Sequence, residues 1–152
     1  MVLEVKVARV TGAGQGVGQG IALALAAEGA RVAVTGRTLE KLEATCQQIA
    51  GRGGEALPVV CDVKSADSLE NCVHTVVAHF GGLQILVNNA QEVPLGTLDQ
   101  VTEESFAAGW DSGPLATFRH RCLHRRRPGH RDLPDTREET DVLVDACVTH
   151  VG

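Results

Sequence analysis

The chain predicts an α/β fold: a parallel sheet covered by helices on both faces, the three-layer sandwich. Three observations carry this. Short aliphatic runs alternate with longer segments of helical periodicity. Their spacing leaves one helix between successive strands, the pattern of βαβ units, whose right-handed crossovers wind the sheet doubly. The runs are mostly apolar rather than strictly alternating, as strands covered on both faces are.

Each element has its own local reason. Val5–Val10 reads as the first strand and ends at Thr11. A glycine-rich turn follows, then a helix over Val17–Glu28 with Ile21, Leu23, Leu25 and Ala26 on its apolar side, stopped by Gly29. Arg31–Thr35 is the second strand. Thr38 can cap a helix from Leu39 to Ala50, which Gly51, Gly53 and Gly54 terminate. Ala56–Cys61 is the third strand. Ser65 caps the third helix, whose stripe is Leu69, Val73, Val76, Val77 and Phe80, and Gly81-Gly82 ends it. Leu83–Val87 is the fourth strand and runs into Asn88-Asn89-Ala90. Thr102–Phe118 can be a further helix, which Pro114 should break or kink. Arg9 does not fit, because a charge in the central strand needs a partner or compromises the fold.

Composition narrows the function classes. Apolar residues make up 43% of the 152, enough for a core, and with three Phe, one Trp and no Tyr that core is aliphatic. The net charge of −5 argues against general nucleic-acid affinity. It is unevenly spread: residues 119–131 hold six Arg and no acid. That stretch reads as a solvated, disordered linker, since it lacks interleaved aromatics. The five cysteines are odd in number, form no Cys-x-x-Cys pair and read as buried thiols of a reducing compartment. No metal-ligand spacing occurs. Charges at Glu4, Lys6 and Arg9 interrupt the first apolar stretch, and no run approaches membrane-helix length. The expectation is a cytoplasmic protein with no membrane partner.

The segment Thr11-Gly12-Ala13-Gly14-Gln15-Gly16-Val17-Gly18 lies between a strand and a helix. Glycines there let backbone N–H groups approach a pyrophosphate, which also gains from the helix dipole. The spacing is T-G-x-x-x-G-x-G, not G-x-G-x-x-G. Two more elements accompany it: Cys61-Asp62-Val63 at the end of the third strand and Asn88-Asn89-Ala90 at the end of the fourth. In this combination and spacing, residues 1–118 resemble the short-chain dehydrogenase/reductase family. The resemblance implies an NAD(P)-binding Rossmann-type sandwich with strand order 3-2-1-4, incomplete because family members carry seven strands. It implies cofactor contacts from Gly12, Gly16, Val17 and Gly18, from Asp62 and Val63 at the adenine, and from Asn88 and Ala90 at the ribose. It also implies a carbonyl/alcohol oxidoreductase.

Cofactor choice can be argued physically. A carboxylate at the end of the second strand selects NAD by binding the ribose hydroxyls. Gly36 stands there instead, followed by Arg37, whose guanidinium suits a 2′-phosphate. NADP(H) is preferred, with NAD(H) left open; a solvated loop charge is the plain alternative for Arg37.

The family's chemistry is where the pattern departs. Its proton relay is Tyr-x-x-x-Lys with a serine and an asparagine, and this chain has no tyrosine. No strand is expected after 118 to carry the serine. Gly113 falls at the asparagine's place and Gln91 at the glycine of N-N-A-G. No catalytic residue is assigned. Residues 132–152 echo the third-strand-to-helix piece, Val144, Cys147 and Val148 matching Val73, Val76 and Val77. The echo suggests a short helix-containing tail from a fusion or frameshift, with chance similarity as the alternative. The fourth strand is left with an open edge, which favours homo- or hetero-oligomerisation. The function expected is an oxidoreductase, catalytically incomplete as written; the alternatives are a catalytically dead nucleotide-binding module or a non-functional truncated product.

Overall fold

The computed structural model describes residues 1–125 and Val142–Val144. The elements are β1 (Val7–Thr11), α1 (Gly16–Ala27), β2 (Arg31–Gly36), α2 (Leu39–Ala50), β3 (Ala56–Val60), α3 (Ala66–Phe80), β4 (Ile85–Val87), α4 (Glu103–Trp110), α5 (Ala116–Arg125) and β5 (Val142–Val144). A 3₁₀ turn, Leu98–Gln100, precedes α4, and a π-helical turn, Asp111–Leu115, joins α4 to α5. The strands form one parallel sheet in the order β3-β2-β1-β4-β5. The order 3-2-1-4 is therefore present, as is the Rossmann-like α/β sandwich.

Alternation along β1 separates the two layers. Ala8 and Val10 join Val32, Val34, Ile85 and Val87 in a core with α1 and α2. Val7 joins Ala33, Val59, Leu69, Val76 and Phe80 in a second core beneath α3, with Leu123 of α5 at its margin. Complete burial of side chains such as Ile49 and Leu69 is worth roughly 1.5–3 kcal/mol each. Helix α1 packs through Gly18, Ala22 and Ala26, one small residue per turn, while Ile21, Leu23 and Leu25 are only partly buried. Small residues let α1 lie close to the sheet, where bulkier ones would hold it off. The caps behave unequally: Ser65 accepts from the N–H of Ser68, and Gly81 ends α3 in the left-handed conformation at φ 84. Thr38 occupies the N-cap of α2 without a side-chain hydrogen bond.

At Pro114 the α-helical pattern is interrupted as expected, by the π turn, which removes the i→i−4 pairing the proline ring would obstruct before α5 begins. Three expectations are corrected beyond Asn89. The basic segment 119–131 is helical through Arg125, with 126–131 outside the described residues. Val142–Val144 is a strand rather than part of a helix, and the rest of the 132–152 tail lies outside the described residues. That strand pairs with β4 through Ile85↔Val142 to Val87↔Val144, so the fourth strand is not an open edge for oligomerisation.

Arg9 sits fully buried in β1. Its Nη2 lies 3.3 Å from Cys61 Sγ, and its Nε and Nη1 have no hydrogen-bond partner. Across the layer, His120 of α5 places Nδ1 2.7 Å from Asn88 Oδ1. Burial, with Arg9 adding repulsion, drives the imidazole down to about 2, so it is neutral. The sulfur of Cys61 is the atom the guanidinium touches, and it lies 3.7 Å from the Ser68 carbonyl oxygen. A hydrogen bond from Cys72 and then the Arg9 guanidinium outweigh the burial cost and lower its thiol from 9.0 to about 6, while Cys72 is pushed up and keeps its proton.

A folded value of about 6 below an unfolded 9.0 stabilises the fold fully above pH 9, and that contribution is lost as pH falls through 6. Thermal unfolding should therefore show wild-type stability gaining on Arg9→Met between pH 6 and pH 9. At pH 6 the variant should be the more stable by about 1–4 kcal/mol, because an apolar replacement of a buried ionic group is neutral to stabilising. A pH-independent difference between the two proteins contradicts the ion pair.

Candidate functional site

The carboxyl ends of β1 to β4 open onto a cleft of about 600 Å³. This is where open α/β sheets bind ligands, because strand order reverses between β1 and β4. Its base is the turn from β1 to α1. Gly12 and Gly16 have φ of 66 and 58, the left-handed region that side chains disfavour. Gly18 is held by space instead: a β-carbon there would stand 2.3 Å from the Gly12 carbonyl oxygen and 2.5 Å from Asn89 Nδ2. Gln15, the N-cap of α1, makes no side-chain capping bond. The first N–H groups of α1 thus meet the cleft without a capping side chain.

Thr11 ties the turn to β4. Its hydroxyl donates to the Val87 carbonyl at 3.3 Å and accepts the N–H groups of Asn89 and Ala90 at 2.9 and 3.0 Å. Asn89 Nδ2 returns a bond to the Thr11 carbonyl at 3.0 Å. A second tie runs from α2, where Thr45 donates to the Ala13 carbonyl at 3.1 Å. The loop is thus fixed from both sides of the sheet.

Eight of the nine residues expected at the site line the cleft: Gly12, Gly16, Val17 and Gly18 at the loop, Arg37 after β2, Asp62 and Val63 after β3, and Ala90 after β4. Asn88 does not line it. Its side chain is turned away, buried against His120, and Asn89 faces the cleft in its place. Successive residues leaving a strand point to opposite sides, so only one of the two asparagine side chains faces the cleft.

Further cleft residues were not expected from sequence. Lys41 of α2 bonds Gln15 at the loop's mouth, and Ser112 in the π turn accepts the N–H of Glu92 at 2.8 Å. Glu92 bridges the opening, with Oε1 3.0 Å from Arg37 Nη1 and 2.9 Å from Lys64 Nζ. That bond to Glu92 holds the Lys64 ammonium above its ordinary value. Glu92 lies two residues past the Asn88-Asn89-Ala90 motif, and nothing in its sequence position marks it. Gln91 packs its amide where a side chain at Gly113 would project, 3.1 Å from that position's ideal β-carbon. Among the described residues, no group of His, Cys, Asp and Glu could hold a metal ion, and no helix is long and apolar enough to cross a membrane.

Comparison with known proteins agrees with this geometry. A family model described as short chain dehydrogenase matches residues 6–112. The short chain dehydrogenase mdpC of Emericella nidulans is 40% identical over 117 residues, covering 76% of this chain and 44% of that protein. A probable tetrahydroxynaphthalene reductase of Zymoseptoria tritici is 39% identical over 105 residues, covering 68% of this chain and 39% of its own length. The chain thus spans less than half the length of these relatives. Among solved structures, a short chain dehydrogenase from Burkholderia cenocepacia in complex with NADP superposes with a TM-score of 0.79 at 35% identity, covering 85% of this chain and 53% of that one. The glycine turn, the strand order and these matches together make this chain a member of the short-chain dehydrogenase family.

Proposed function

We propose that these 152 residues form the cofactor-holding part of a short-chain oxidoreductase, that NADP(H) is its preferred dinucleotide over NAD(H), and that the proton relay is not among them. One observation carries the binding reading: Gly18 admits no β-carbon, and together with Gly12 and Gly16 it leaves backbone rather than side chains facing the cleft. A pyrophosphate needs such a cradle. Asp62 and Val63 flank the adenine end in this reading, and Asn88 and Ala90 the ribose, with Asn89 facing the cleft between them.

Arg37 supports the choice of NADP(H). It is exposed at the cleft's rim, beside Gly36 where a carboxylate would select NAD. Glu92 holds it in the ligand-free arrangement, so a 2′-phosphate has to compete with Glu92 for the guanidinium. The missing tyrosine supports the catalytic part: without a phenol beside a lysine, the reduced carbonyl oxygen lacks the family's proton donor. The unpaired thiols Cys46, Cys61, Cys72 and Cys122 fit a cytoplasmic setting. A catalytically dead nucleotide-binding module is the alternative form of this function. Association with another copy or a complete subunit would then have to use a surface other than the β4 edge.

Binding should appear in thermal unfolding as a midpoint raised by mass action, more by NADPH than by NADH at equal concentration. Arg37→Ala should weaken NADPH about tenfold and leave NADH unchanged, the size of one charge-assisted bond at an exposed position. Glu92→Gln should strengthen NADPH a few-fold, and Gly18→Ala should abolish both shifts. Equal shifts by the two nucleotides would refute Arg37 as selector, and a retained shift in Gly18→Ala would refute the cradle.

The second expectation concerns turnover. Purified chain mixed with NADPH and a panel of carbonyl compounds should show no protein-dependent loss of absorbance at the reduced nicotinamide band. Turnover that scales with protein concentration would show that another group donates the proton.

A further inference from the structure

Three loops leave the sheet at the cleft's rim and meet at one oxygen. Arg37 follows β2, Lys64 follows β3, and Glu92 lies beyond β4. Glu92 Oε1 stands 3.0 Å from Arg37 Nη1 and 2.9 Å from Lys64 Nζ, so two cations converge on a single atom. Lys64 is fixed at its root. Its backbone N–H donates to Asp62 Oδ1 at 3.0 Å, and its carbonyl accepts from Arg119 Nη1 of α5 at 2.9 Å. Glu92 is fixed in the same way, its N–H donating to Ser112 Oγ at 2.8 Å. Both side chains are half-buried, whereas Arg37 is exposed. Ion pairs near the surface add little to stability, so folding does not account for holding two like charges against one gap. The Arg37 guanidinium opposes the charge on Lys64, and the bond to Glu92 outweighs that repulsion. Whatever displaces Glu92 has to replace its charge.

We propose that Lys64 joins Arg37 in a two-cation clamp for a phosphomonoester, with Glu92 as the resting occupant, and that Lys64 is thereby a specificity-determining residue of the cleft. A phosphomonoester carries roughly 1.5–2 negative charges at pH 7 and three acceptor oxygens. The Glu92 carboxylate carries one charge and shares one oxygen between the two cations. The phosphate therefore exceeds it in charge and gives each cation an oxygen of its own. A pyrophosphate within a dinucleotide has only one charge per phosphorus, lacks that advantage and is left to the glycine turn. Asp62 adds a weaker attraction for the Lys64 ammonium, its Oδ1 being engaged by the backbone N–H. For a dinucleotide in the cleft, the group of this class is a 2′-phosphate on the ribose, and that identification rests on the proposed function. Because the Glu92 bridge spans the cleft's opening, taking up the phosphate and opening the cleft are one event.

The test compares adenosine 2′,5′-bisphosphate with 5′-AMP, two ligands that differ only in the 2′-phosphate, by titration calorimetry on the full chain. The wild-type chain should bind the bisphosphate roughly tenfold more tightly, since only it can engage the clamp. Lys64→Met should weaken the bisphosphate about fivefold, the size of one ionic hydrogen bond near the surface, and leave 5′-AMP unchanged. Glu92→Gln removes the occupant's charge. In that background Lys64→Met should still weaken the bisphosphate by a similar factor, because the ammonium meets the phosphate itself. An unchanged bisphosphate affinity in Lys64→Met, with Arg37→Ala still weakening it, would overturn the clamp and leave the cofactor site intact. A loss that disappears in the Glu92→Gln background would show Lys64 acting only through Glu92, and a loss shared equally by 5′-AMP would show a general disturbance of the site; either overturns the clamp. Failure of both ligands to bind the folded wild-type chain would refute the cofactor site and the clamp together.

Discussion

The close approach of α1 to the end of β1 is the contact on which the cleft depends. Gly18 lies where any side chain would collide with the Gly12 carbonyl and with Asn89. Asn89 is itself held by Thr11, and Thr11 by the end of β4. One missing β-carbon thus couples the first helix, the first strand and the fourth strand at a single point. The same economy of volume runs down α1 through Ala22 and Ala26, so the helix lies flat on the sheet and its amino end reaches the cleft. A bulkier face would have kept the same secondary structure and raised the helix off its site.

Much of this was legible in the sequence, and the failures have physical causes. The βα alternation followed from periodicity, while the strand order and eight of the nine expected site residues that line the cleft followed from the family resemblance. Along α1, Ile21, Leu23, Leu25 and Ala26 pack on the core as read, but the tightest contacts also include Gly18 and Ala22, which contribute little to an apolar stripe. Asn88 and Asn89 are chemically identical neighbours, and only the strand's direction decides which one meets the cleft. Strand β5 is three residues long between Asp141 and Asp145, too short for periodicity to register. The interruption at Pro114 was legible from its local penalty, but its form, a π turn, was not. Arg9 was visible as an anomaly, but its partner stands 52 residues away and on another element.

Gln91 and Gly113 pack as a pair. The glutamine amide lies 3.1 Å from the place a β-carbon at position 113 would take, where the chain after β4 meets the π turn. A side chain at 113 would therefore have to displace Gln91. The cleft's opening shows a similar pairing in charge: Glu92 neutralises Arg37 and Lys64 across the gap. A ligand's phosphate would have to replace that carboxylate rather than meet free cations.

The Arg9–Cys61 contact also ties folding to the solvent's acid–base chemistry. The Cys61 thiol is held lower in the folded chain than in the unfolded one, so folding near neutral pH is accompanied by release of protons. The released proton is taken up by the buffer. Heat measured on folding therefore includes the buffer's own ionisation enthalpy, and calorimetric enthalpies in an amine buffer and in phosphate would differ by that amount although the protein's structural change is the same. For a chain built around a cation with no carboxylate beside it, the apparent energetics of folding belong partly to the solution.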